Sequence, residues 1–162
     1  MVEITQLQKD QLKEIQLDLL KKFINACEKL NLEYYIIAGT LIGAIRHKGF
    51  IPWDDDIDVA MKRKDYNVFI KRAQEFLPQE DYFVQTSASD PEWPMNYCKL
   101  RNSKTTFVEC SVKKLHINHG VYIDIFPLDY YPEDEKVAKQ YERKKSYQEL
   151  FLKIFMWKLK RL

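Results

Sequence analysis

The sequence predicts a single domain of the α/β or α+β class, with a mixed central sheet flanked by helices. Its apolar residues follow helical and strand-like spacings in the order helix, strand, helix, strand, helix, several strands and a final helix. The chain has 162 residues, enough for one domain with a well-formed core and too few for two of ordinary size. Hydrophobic residues make up 46% of it and aromatic residues 14%, which excludes a disordered chain. We therefore treat residues 1–162 as one unit.

The N-terminal elements are predicted from their apolar spacing. Residues 5–31 carry apolar side chains three and four positions apart, as in an amphipathic helix: Leu12, Ile15, Leu19, Phe23 and Ala26. The segment LEYYIIAG, residues 32–39, is rich in β-branched and aromatic residues and stops at a glycine, which predicts a buried strand. TLIGAIRH, residues 40–47, then predicts a short helix with Thr40 as its N-cap.

The remaining elements follow the same two patterns. A second strand is expected at about residues 56–61, and a helix at 62–77 that ends before a proline. The later candidate strands are residues 81–86, 95–102, 105–110 and 120–129. From Pro132 to the last residue the helical spacing predicts one long helix or two.

Charge and cysteine content exclude several classes of function. The 26 Lys and Arg residues against 24 Asp and Glu give a net charge of +2, so the chain lacks the basic excess typical of nucleic-acid binding. The three cysteines have no CxxC spacing, and we interpret them as free thiols of a reducing compartment. The first residues lack the apolar core of a secretory signal, and no apolar run approaches the length of a membrane span. We therefore expect a cytoplasmic protein.

The segment GFIPWDDDIDVAM, residues 49–61, places an acidic cluster at the start of the second strand. Because alternate side chains of a strand share a face, Asp56 and Asp58 are expected to point the same way. Asp124, in VYIDIFP, is a third candidate, because an unpaired charge among apolar residues costs several kcal/mol. Carboxylate oxygens are hard ligands, so the three acids together predict a site for divalent cations.

Simpler interpretations of the acidic cluster also exist. A run of three aspartates often forms a solvated turn, and a lone Asp in a strand is often an edge residue or an ion-pair partner. A calcium loop of the EF-hand type is excluded by spacing. Counting from Asp54, the sixth position is Val59, where glycine is needed, and the twelfth is Asp65, where Glu is usual. A second motif beside the cluster is what favours the cation site.

That second motif contains three of the four glycines in the chain, all within residues 39–49. A strand ends at Gly39 and a helix opens at Thr40, so backbone N–H groups and a hydroxyl are expected at a helix N-terminus, where phosphate is favoured. Arg46 and Lys48 follow and add positive charge. Alone, the segment fits a tight strand-to-helix turn. Beside the acids it predicts a phosphate cradle next to a metal site, the pairing that phosphoryl and nucleotidyl transfer require.

At this point the sequence resembles a known family. AGTLIGAIRHKGFIPWDDDIDVAMKRKDYNVF is similar to the signature of the LicD family, bacterial phosphocholine transferases related to the fukutin-type proteins. These belong to the nucleotidyltransferase-fold superfamily, whose pattern is a Gly-Ser or Gly-Thr turn, a later Asp-x-Asp and a third acid on another strand. The matching residues here are Gly39-Thr40, Asp56-Ile57-Asp58 and Asp124. The resemblance covers roughly residues 30–130, and because family members are generally longer, we expect a domain shortened at its C-terminal end.

The resemblance implies a nucleotidyltransferase-like fold and a metal-dependent phosphotransferase. Such an enzyme moves a phospho-alcohol group, typically phosphocholine, from a CDP-linked alcohol donor to a cell-surface glycan such as lipopolysaccharide or teichoic acid, or to its lipid-linked precursor. Asp56, Asp58 and Asp124 would be catalytic and would bind Mg²⁺ or Mn²⁺, with Asp124 also placed to take the proton of the acceptor hydroxyl. Lys99 and Arg101 share one face of their candidate strand and could contact the donor phosphates, although surface solubility explains them equally well.

Other functions stay open on the sequence. The same site would serve a nucleotidyltransferase that attaches NMP to a small molecule or protein, or a degenerate module that binds nucleotide or glycan without turnover. A sugar-nucleotide glycosyltransferase is less favoured. Its fold normally has a longer nucleotide-binding half before the Asp-x-Asp than the 55 residues that precede Asp56 here.

The segment QELFLKIFMWKLKRL, residues 148–162, intersperses apolar and cationic residues. We expect this segment either to cover a core or to contact an anionic membrane at its inner face.

Overall fold

The computed structural model describes the backbone of residues 5–161 and the side chains of residues 5–147 and 150. This part of the chain folds into a five-stranded mixed sheet with helices packed against it, which confirms the predicted fold class. The helices are α1 (Gln6–Leu30), α2 (Ala38–Ile42), α3 (Arg63–Arg72) and α4 (Glu135–Arg161), with a π-helical turn at Gly43–His47 and a 3₁₀ turn at Ala73–Phe76. The strands are β1 (Tyr35–Ile36), β2 (Asp58–Lys62), β3 (Tyr82–Gln85), β4 (Cys98–Asn102) and β5 (Val121–Leu128).

Helix α1 forms where the apolar spacing predicts it. Thr5 begins it with a capping box, in which the Thr5 hydroxyl accepts from Gln8 N at 3.2 Å and the Gln8 side chain accepts from Thr5 N at 2.8 Å. Asn31 ends it in the left-handed conformation, with φ of 53°. Leu19 and Phe23 on its apolar stripe are fully buried. The helix therefore belongs to the core.

The strand order β1-β2-β5-β4-β3 places the two acid-bearing strands side by side. β2 and β5 are parallel, and the other pairings among the described strands are antiparallel. One face of the sheet is apolar and packs against α1 and α3. Its core includes Phe23, Phe69, Leu100, Ile123 and Ile125.

The opposite face of the sheet is polar. One row of paired residues crosses four strands there: Asp58, Asp124, Lys99 and Gln85. Paired residues on neighbouring strands project to the same face, so these side chains lie side by side. Trp93 and Glu109, from the loops that flank β4, approach Lys99 from outside the sheet. Loops thus bury the Lys99 part of the polar row, Asp58 at its end is half-buried, and helices cover the apolar face.

The prediction of a strand at residues 105–110 is wrong. This segment is an irregular loop, because its polar groups bond to the start of β5 and the loop before it rather than to a strand edge. The Thr105 hydroxyl accepts from Val121 N at 2.9 Å, and Phe107 N donates to His119 O at 2.6 Å. The other predicted strands are present with shorter bounds, and the second begins at Asp58. The expected burial of the first strand is wrong, because β1 has only two residues and lies at the sheet edge, with Tyr35 exposed and Ile36 half-buried.

The prediction of Thr40 as a helix N-cap is also wrong. Helix α2 begins at Ala38, its N-cap is Ile37, and Thr40 lies inside it. The physical reason is the backbone of Ala38. Its positive φ of 48° turns the chain into the helix two residues before Thr40. The Thr40 hydroxyl is therefore directed at a neighbouring strand instead of at its own helix.

The C-terminal region forms one helix, α4, rather than two. Ala138 is buried in its first turns, and Tyr141 packs edge-on against Tyr131 with ring centroids 6.2 Å apart. The predicted membrane contact of residues 148–162 concerns side chains that, apart from Leu150, lie outside the described residues. Among the helices described, none combines the length and apolar character that crossing a membrane would need.

Candidate functional site

Three aspartates meet on the polar face of the sheet. Asp58 begins β2 and is paired with Asp124 of β5, and Asp56 lies just before β2. One carboxylate oxygen from each of the three lies within 4.8 Å of the others. The amide of Asp124 also donates to Ile57 O at 2.9 Å, which ties β5 to the acidic segment. The three acids that the sequence singles out are therefore adjacent in space, and their role in binding a metal stays a prediction.

Two contacts from other elements position the acidic segment. The amide of Asp58 donates to the Thr40 hydroxyl at 2.8 Å, which fixes the turn after β1 against the start of β2. The buried side chain of Gln16, on α1, donates from Nε2 to Asp55 O at 2.7 Å. The backbone on either side of Asp56 is thus held by groups 39 and 18 residues away along the chain.

Burial and mutual repulsion raise the pKa values of these acids. Burial raises the pKa of Asp58 to about 7, and the charges of Asp56 and Asp124 add to the effect. Burial also raises the pKa of Asp124 to about 6, although the Lys99 ammonium opposes the shift. The pKa of Asp56 is raised by burial and then by the neighbouring aspartates. Ionising all three together requires a nearby positive charge.

A buried lysine supplies part of that charge. Lys99 Nζ lies 3.0 Å from Asp124 Oδ1 and 3.0 Å from Glu109 Oε1, and its side chain is only 1% exposed. Burial lowers the pKa of Lys99, and the two carboxylates oppose that shift. The Tyr122 ring lies against the ammonium, with Nζ 3.1 Å from its centroid. Lys99 therefore acts as an internal counter-ion for the polar row.

Arg101 belongs to the same buried network. Its guanidinium donates to Gln85 Oε1 at 2.6 Å, to Gly120 O at 2.7 Å and to Glu109 Oε2 at 3.1 Å, and the side chain is fully buried. Lys99 and Arg101 do project to the face that carries Asp124, as their spacing suggests. Contact of either residue with a donor phosphate stays a prediction.

The acids fit a hard divalent cation. Asp124 Oδ1 is buried and its cationic neighbour is Lys99 Nζ at 3.0 Å, so one ammonium faces a site with three carboxylates. All three groups offer carboxylate oxygens, which suit Mg²⁺ or Mn²⁺ better than softer metals. A cation among them would also offset the repulsion that raises their pKa values. Asp56, Asp58 and Asp124 are the residues that would hold it.

The predicted phosphate turn contains a strained residue and a crowded glycine. Ala38 has φ of 48°, a conformation that costs an alanine on the order of 1 kcal/mol and is common near functional sites. A Cβ on Gly39 would overlap the Asp54 carboxylate. A phosphate that approaches Gly39 must therefore displace Asp54 or share a cation with it. Glycine is therefore needed at position 39 because a side chain would collide with Asp54, and not only because the chain turns there.

The predicted basic residues lie at the far end of the same segment. Arg46 is exposed, and its Nε donates to His47 Nδ1 at 3.3 Å. Lys48 lines a mainly apolar cavity of about 510 Å³, together with Thr40 and Asp54. Among the described contacts, neither Arg46 nor Lys48 reaches the three acids. A donor that contacts Arg46 or Lys48 as well as the acids would have to extend from the acidic site to the far end of this segment.

Sequence reasoning missed Gln16, Asp54 and Glu109. Glu109 had a usable signal, because two cations inside an otherwise apolar strand require a buried acid as partner. Gln16 had a weaker one, since it is a polar residue between apolar positions of an amphipathic helix. Asp54 gave no signal, because it precedes the predicted strand and its approach to Gly39 depends on the path of a loop that spacing does not predict.

Taken together, the fold and site define a nucleotidyltransferase-fold domain. A Gly-Thr turn follows the edge strand β1, an Asp-x-Asp leads into β2, and a third Asp lies on the adjacent strand β5. The chain belongs to the LicD/FKTN/FKRP family, whose nucleotidyltransferase-domain model matches residues 31–161. This confirms the family that the sequence motifs indicate.

Individual relatives support the same assignment. The chain is 35% identical over 123 residues to the lipopolysaccharide cholinephosphotransferase LicD of Haemophilus influenzae, a match that covers 75% of this chain and 44% of that protein. It is 32% identical over 115 residues to an uncharacterised protein of Rickettsia prowazekii, covering 71% of this chain and 39% of the relative. The chain thus spans less than half the length of these two relatives.

Proposed function

We propose that this domain is the catalytic part of a metal-dependent phosphotransferase. It moves a phospho-alcohol group, phosphocholine or a close analogue, from a CDP-linked donor to a cell-surface glycan such as lipopolysaccharide or teichoic acid. The observation that carries the proposal is the convergence of Asp56, Asp58 and Asp124 beside the Gly39–Thr40 turn. The named activity of the Haemophilus relative supports the substrate class.

The proposed reaction is a displacement at phosphorus. The acceptor hydroxyl oxygen attacks the phosphorus that carries the alcohol. The bond between that phosphorus and the oxygen bridging the two phosphates breaks, and CMP leaves with the bonding electrons. The hydroxyl proton passes to a carboxylate, for which Asp124 is the candidate by its position beside Asp58 on the polar face of the sheet.

Each part of the site has a proposed task. Asp56, Asp58 and Asp124 would hold Mg²⁺ or Mn²⁺, which supplies charge neutralisation for the diphosphate and the leaving CMP. The turn at Gly39 and Thr40 approaches the donor phosphates with backbone N–H groups. Arg46 and Lys48 add positive charge where the donor enters.

Lys99 and Arg101 serve the donor indirectly. The guanidinium of Arg101 already donates to three acceptors and is fully buried, so direct contact with a phosphate would break several buried hydrogen bonds. Lys99 is held between Asp124 and Glu109. We infer that both residues position the acids, with Lys99 the closer of the two to the reacting groups.

The proposed location is the cytoplasm, at the inner face of the membrane where lipid-linked glycans are available. The thiols of Cys27, Cys98 and Cys110 are free, which fits a reducing compartment. Contact with the membrane through residues 148–162 is part of this proposal and rests on their sequence alone.

The function is tested by following phosphorus with ³¹P NMR. CDP-choline, CDP-ribitol, CDP-glycerol and nucleoside triphosphates are each incubated with the protein, Mg²⁺ and a glycan acceptor. Appearance of CMP and a phosphodiester on the acceptor is the expected result. Pyrophosphate released from a triphosphate would instead establish the nucleotidyltransferase alternative. Tight binding of CDP-choline without any product would establish the degenerate binding module.

A matched pair of variants separates site chemistry from contamination. Asp58→Asn removes a proposed ligand, whereas Glu80→Gln removes an exposed acid on the turn before β3. CMP release that persists in Asp58→Asn at the wild-type rate contradicts the proposed site. Release lost in Asp58→Asn and kept in Glu80→Gln supports it.

A further inference from the structure

An exposed apolar surface lies on the segment between β1 and the acidic cluster. Ile42 and Ile45, on the helical turns of residues 38–47, are 48% and 66% exposed, and Trp53 on the following loop is 78% exposed. The His47 ring packs edge-on against Trp53 with centroids 6.4 Å apart, which joins the turn to the loop. None of the three apolar side chains belongs to the hydrophobic core of the described residues. We call Ile42, Ile45 and Trp53 the apolar patch.

Cations lie beside the apolar patch. Arg46 and Lys48 flank His47 in the sequence, and among the described residues neither forms a salt bridge with an acid. Lys13 of α1 adds a third cation, because its Nζ lies 5.4 Å from the ring centroid of Phe50, in the loop that leads to the patch. Unpaired positive charge therefore accompanies the exposed apolar side chains.

The acids of the same segment gather at the catalytic side instead. One carboxylate oxygen from each of Asp54, Asp55 and Asp56 lies within 4.8 Å of the others. The Asp54 carboxylate also occupies the space beside Gly39. Negative charge is thus collected next to the phosphate turn, and positive charge next to the apolar patch.

Exposed aliphatic and tryptophan side chains beside unpaired cations are typical of a surface that lies on an anionic membrane. Apolar side chains gain free energy when they leave water for the boundary between headgroups and acyl chains, and tryptophan favours that depth. Lysine and arginine near an anionic leaflet strengthen the attachment. A protein partner would need an apolar surface with acids placed opposite these cations, whereas a bilayer that contains anionic lipid offers both properties everywhere.

We propose that the apolar patch docks this domain on an anionic lipid bilayer. Its three side chains enter the boundary between headgroups and acyl chains, and the cations beside it face the lipid phosphates. This contact goes beyond the proposed function, and it is separate from the membrane contact proposed for residues 148–162.

The apolar patch is continuous with the acidic site. Thr40 lies two residues before Ile42 in α2, and its hydroxyl accepts from the amide of Asp58 at 2.8 Å. Trp53 directly precedes Asp54, the first residue of the acidic cluster. Docking therefore places the proposed entrance for the donor at the bilayer surface, where a lipid-linked acceptor is available. This last consequence, unlike the docking itself, rests on the proposed function.

The test is co-sedimentation of the 162-residue chain with vesicles of phosphatidylcholine, alone or mixed with anionic phosphatidylglycerol. Ile45→Ser/Trp53→Ser removes two side chains of the apolar patch. Leu7→Ser/Tyr130→Ser is the matched control, because these side chains are 68% and 77% exposed and lie outside the patch. At low salt we expect binding to the mixed vesicles that is about tenfold weaker in the patch pair and changes less than about twofold in the control pair. Melting curves check that both pairs are folded.

Tryptophan emission locates the contact. The spectrum of Trp53 is obtained as the difference between the wild type and Trp53→Phe, which keeps an apolar ring for docking. Mixed vesicles should shift this spectrum to shorter wavelength, because the ring leaves water. The corresponding spectrum of Trp93, which is buried in the protein, should not move. Higher salt should reverse the Trp53 shift, since it screens the attraction between the cations and the lipid phosphates.

Four results would overturn the inference: no binding to mixed vesicles by the wild type, binding that does not depend on phosphatidylglycerol, equal losses in both serine pairs, or a Trp53 spectrum that does not shift. Binding that the patch pair leaves unchanged would likewise assign the contact to another surface. The proposed function is judged separately, from CMP release with a water-soluble glycan acceptor. Vesicle binding that depends on the patch, without CMP release from any CDP-alcohol, refutes the function and leaves the docking surface standing.

Discussion

Asp58 and Asp124 are paired on adjacent parallel strands, so their carboxylates project from one face at one level of the sheet. The arrangement is costly without a counter-charge, as the raised pKa values of both residues indicate. Lys99 supplies one counter-charge from the strand on the other side of Asp124. A cation bound near Asp58, which is farther from that lysine along the row, would offset the remaining repulsion.

Replacing either paired acid should abolish turnover without unfolding the domain. Asp58→Asn and Asp124→Asn each remove a proposed ligand, and a lost metal contact worth several kcal/mol corresponds to a decrease in rate of about 10²-fold or more. Rates of CMP release at saturating Mg²⁺ measure the effect. Glu80→Gln is the control, because Glu80 is exposed and belongs to neither group of acids that could hold a metal. An inactive Glu80→Gln with an active Asp58→Asn would reverse the assignment.

The stability of the domain without divalent cations should decrease as pH rises. Burial raises the pKa of Asp58 from 3.8 to about 7, so between these values the folded state holds a proton that the unfolded state has released. Stability is then highest at the acidic end of this window and falls until the pH passes the folded pKa. Mg²⁺ binds the ionised form, so its stabilising effect should increase over the same window.

Thermal melts with and without Mg²⁺ measure this dependence. The difference in melting temperature should be small near about pH 5 and reach about 3 °C or more near about pH 8, which corresponds to roughly 1 kcal/mol. In Asp58→Asn both the pH slope and the Mg²⁺ effect should be reduced. A Mg²⁺ effect that is equal at both pH values would show that these carboxylates do not bind the ion.

Much of this site was predictable because period-two alternation decides which side chains share a sheet face. Alternation placed Asp56 with Asp58, and Lys99 with Arg101, on one face each, whereas Asp124 was placed beside them because a buried acid needs a partner. That those two cations need a buried acid was predictable, but the identity of that acid was not, because Glu109 reaches them from a loop whose sequence resembles a strand.

The turn after β1 was predicted in outline and missed in detail. The pattern of a strand, a glycine and a threonine indicated a strand-to-helix turn, and that turn is present. The helix start depends on the left-handed backbone of Ala38, and alanine gives no signal for that conformation. Tertiary contact explains the difference, since the Thr40 hydroxyl binds the amide of Asp58 on β2 and is not available as a cap.

Gly39→Ala and Gly43→Ala should separate function from stability. At Gly39 the added Cβ meets the end of the Asp54 side chain, which can move, so we expect less than about 1 kcal/mol of lost stability. At Gly43 it would lie 2.5 Å from Gly49 O and 3.2 Å from Ile51 N, both backbone atoms, so we expect about 1–3 kcal/mol.

Donor affinity should decrease more in Gly39→Ala than in Gly43→Ala, which is the opposite of their order in lost stability. Gly39→Ala places a methyl group where a phosphate is proposed to approach the backbone, and we expect about tenfold weaker binding of CDP-choline. Adding Asp54→Ala should restore the stability of Gly39→Ala and leave donor binding weak. Donor affinity at the wild-type level in Gly39→Ala would exclude this turn as the phosphate site.

The buried counter-ion gives the last prediction. Lys99→Met leaves Asp124 and Glu109 buried without their shared cation, and breaking such a pair costs about 3–5 kcal/mol. Lys62→Met is the matched control, because the Lys62–Glu33 pair has side chains 60% and 65% exposed, so water screens it and its loss should change stability little. Urea unfolding measures both. Mg²⁺ should restore more stability to Lys99→Met than it adds to the wild type, because a bound cation replaces the missing charge beside Asp124. Equal stability of the two methionine variants, or a Lys99→Met variant that does not respond to Mg²⁺, would mean that Lys99 is not the counter-ion of the acidic site.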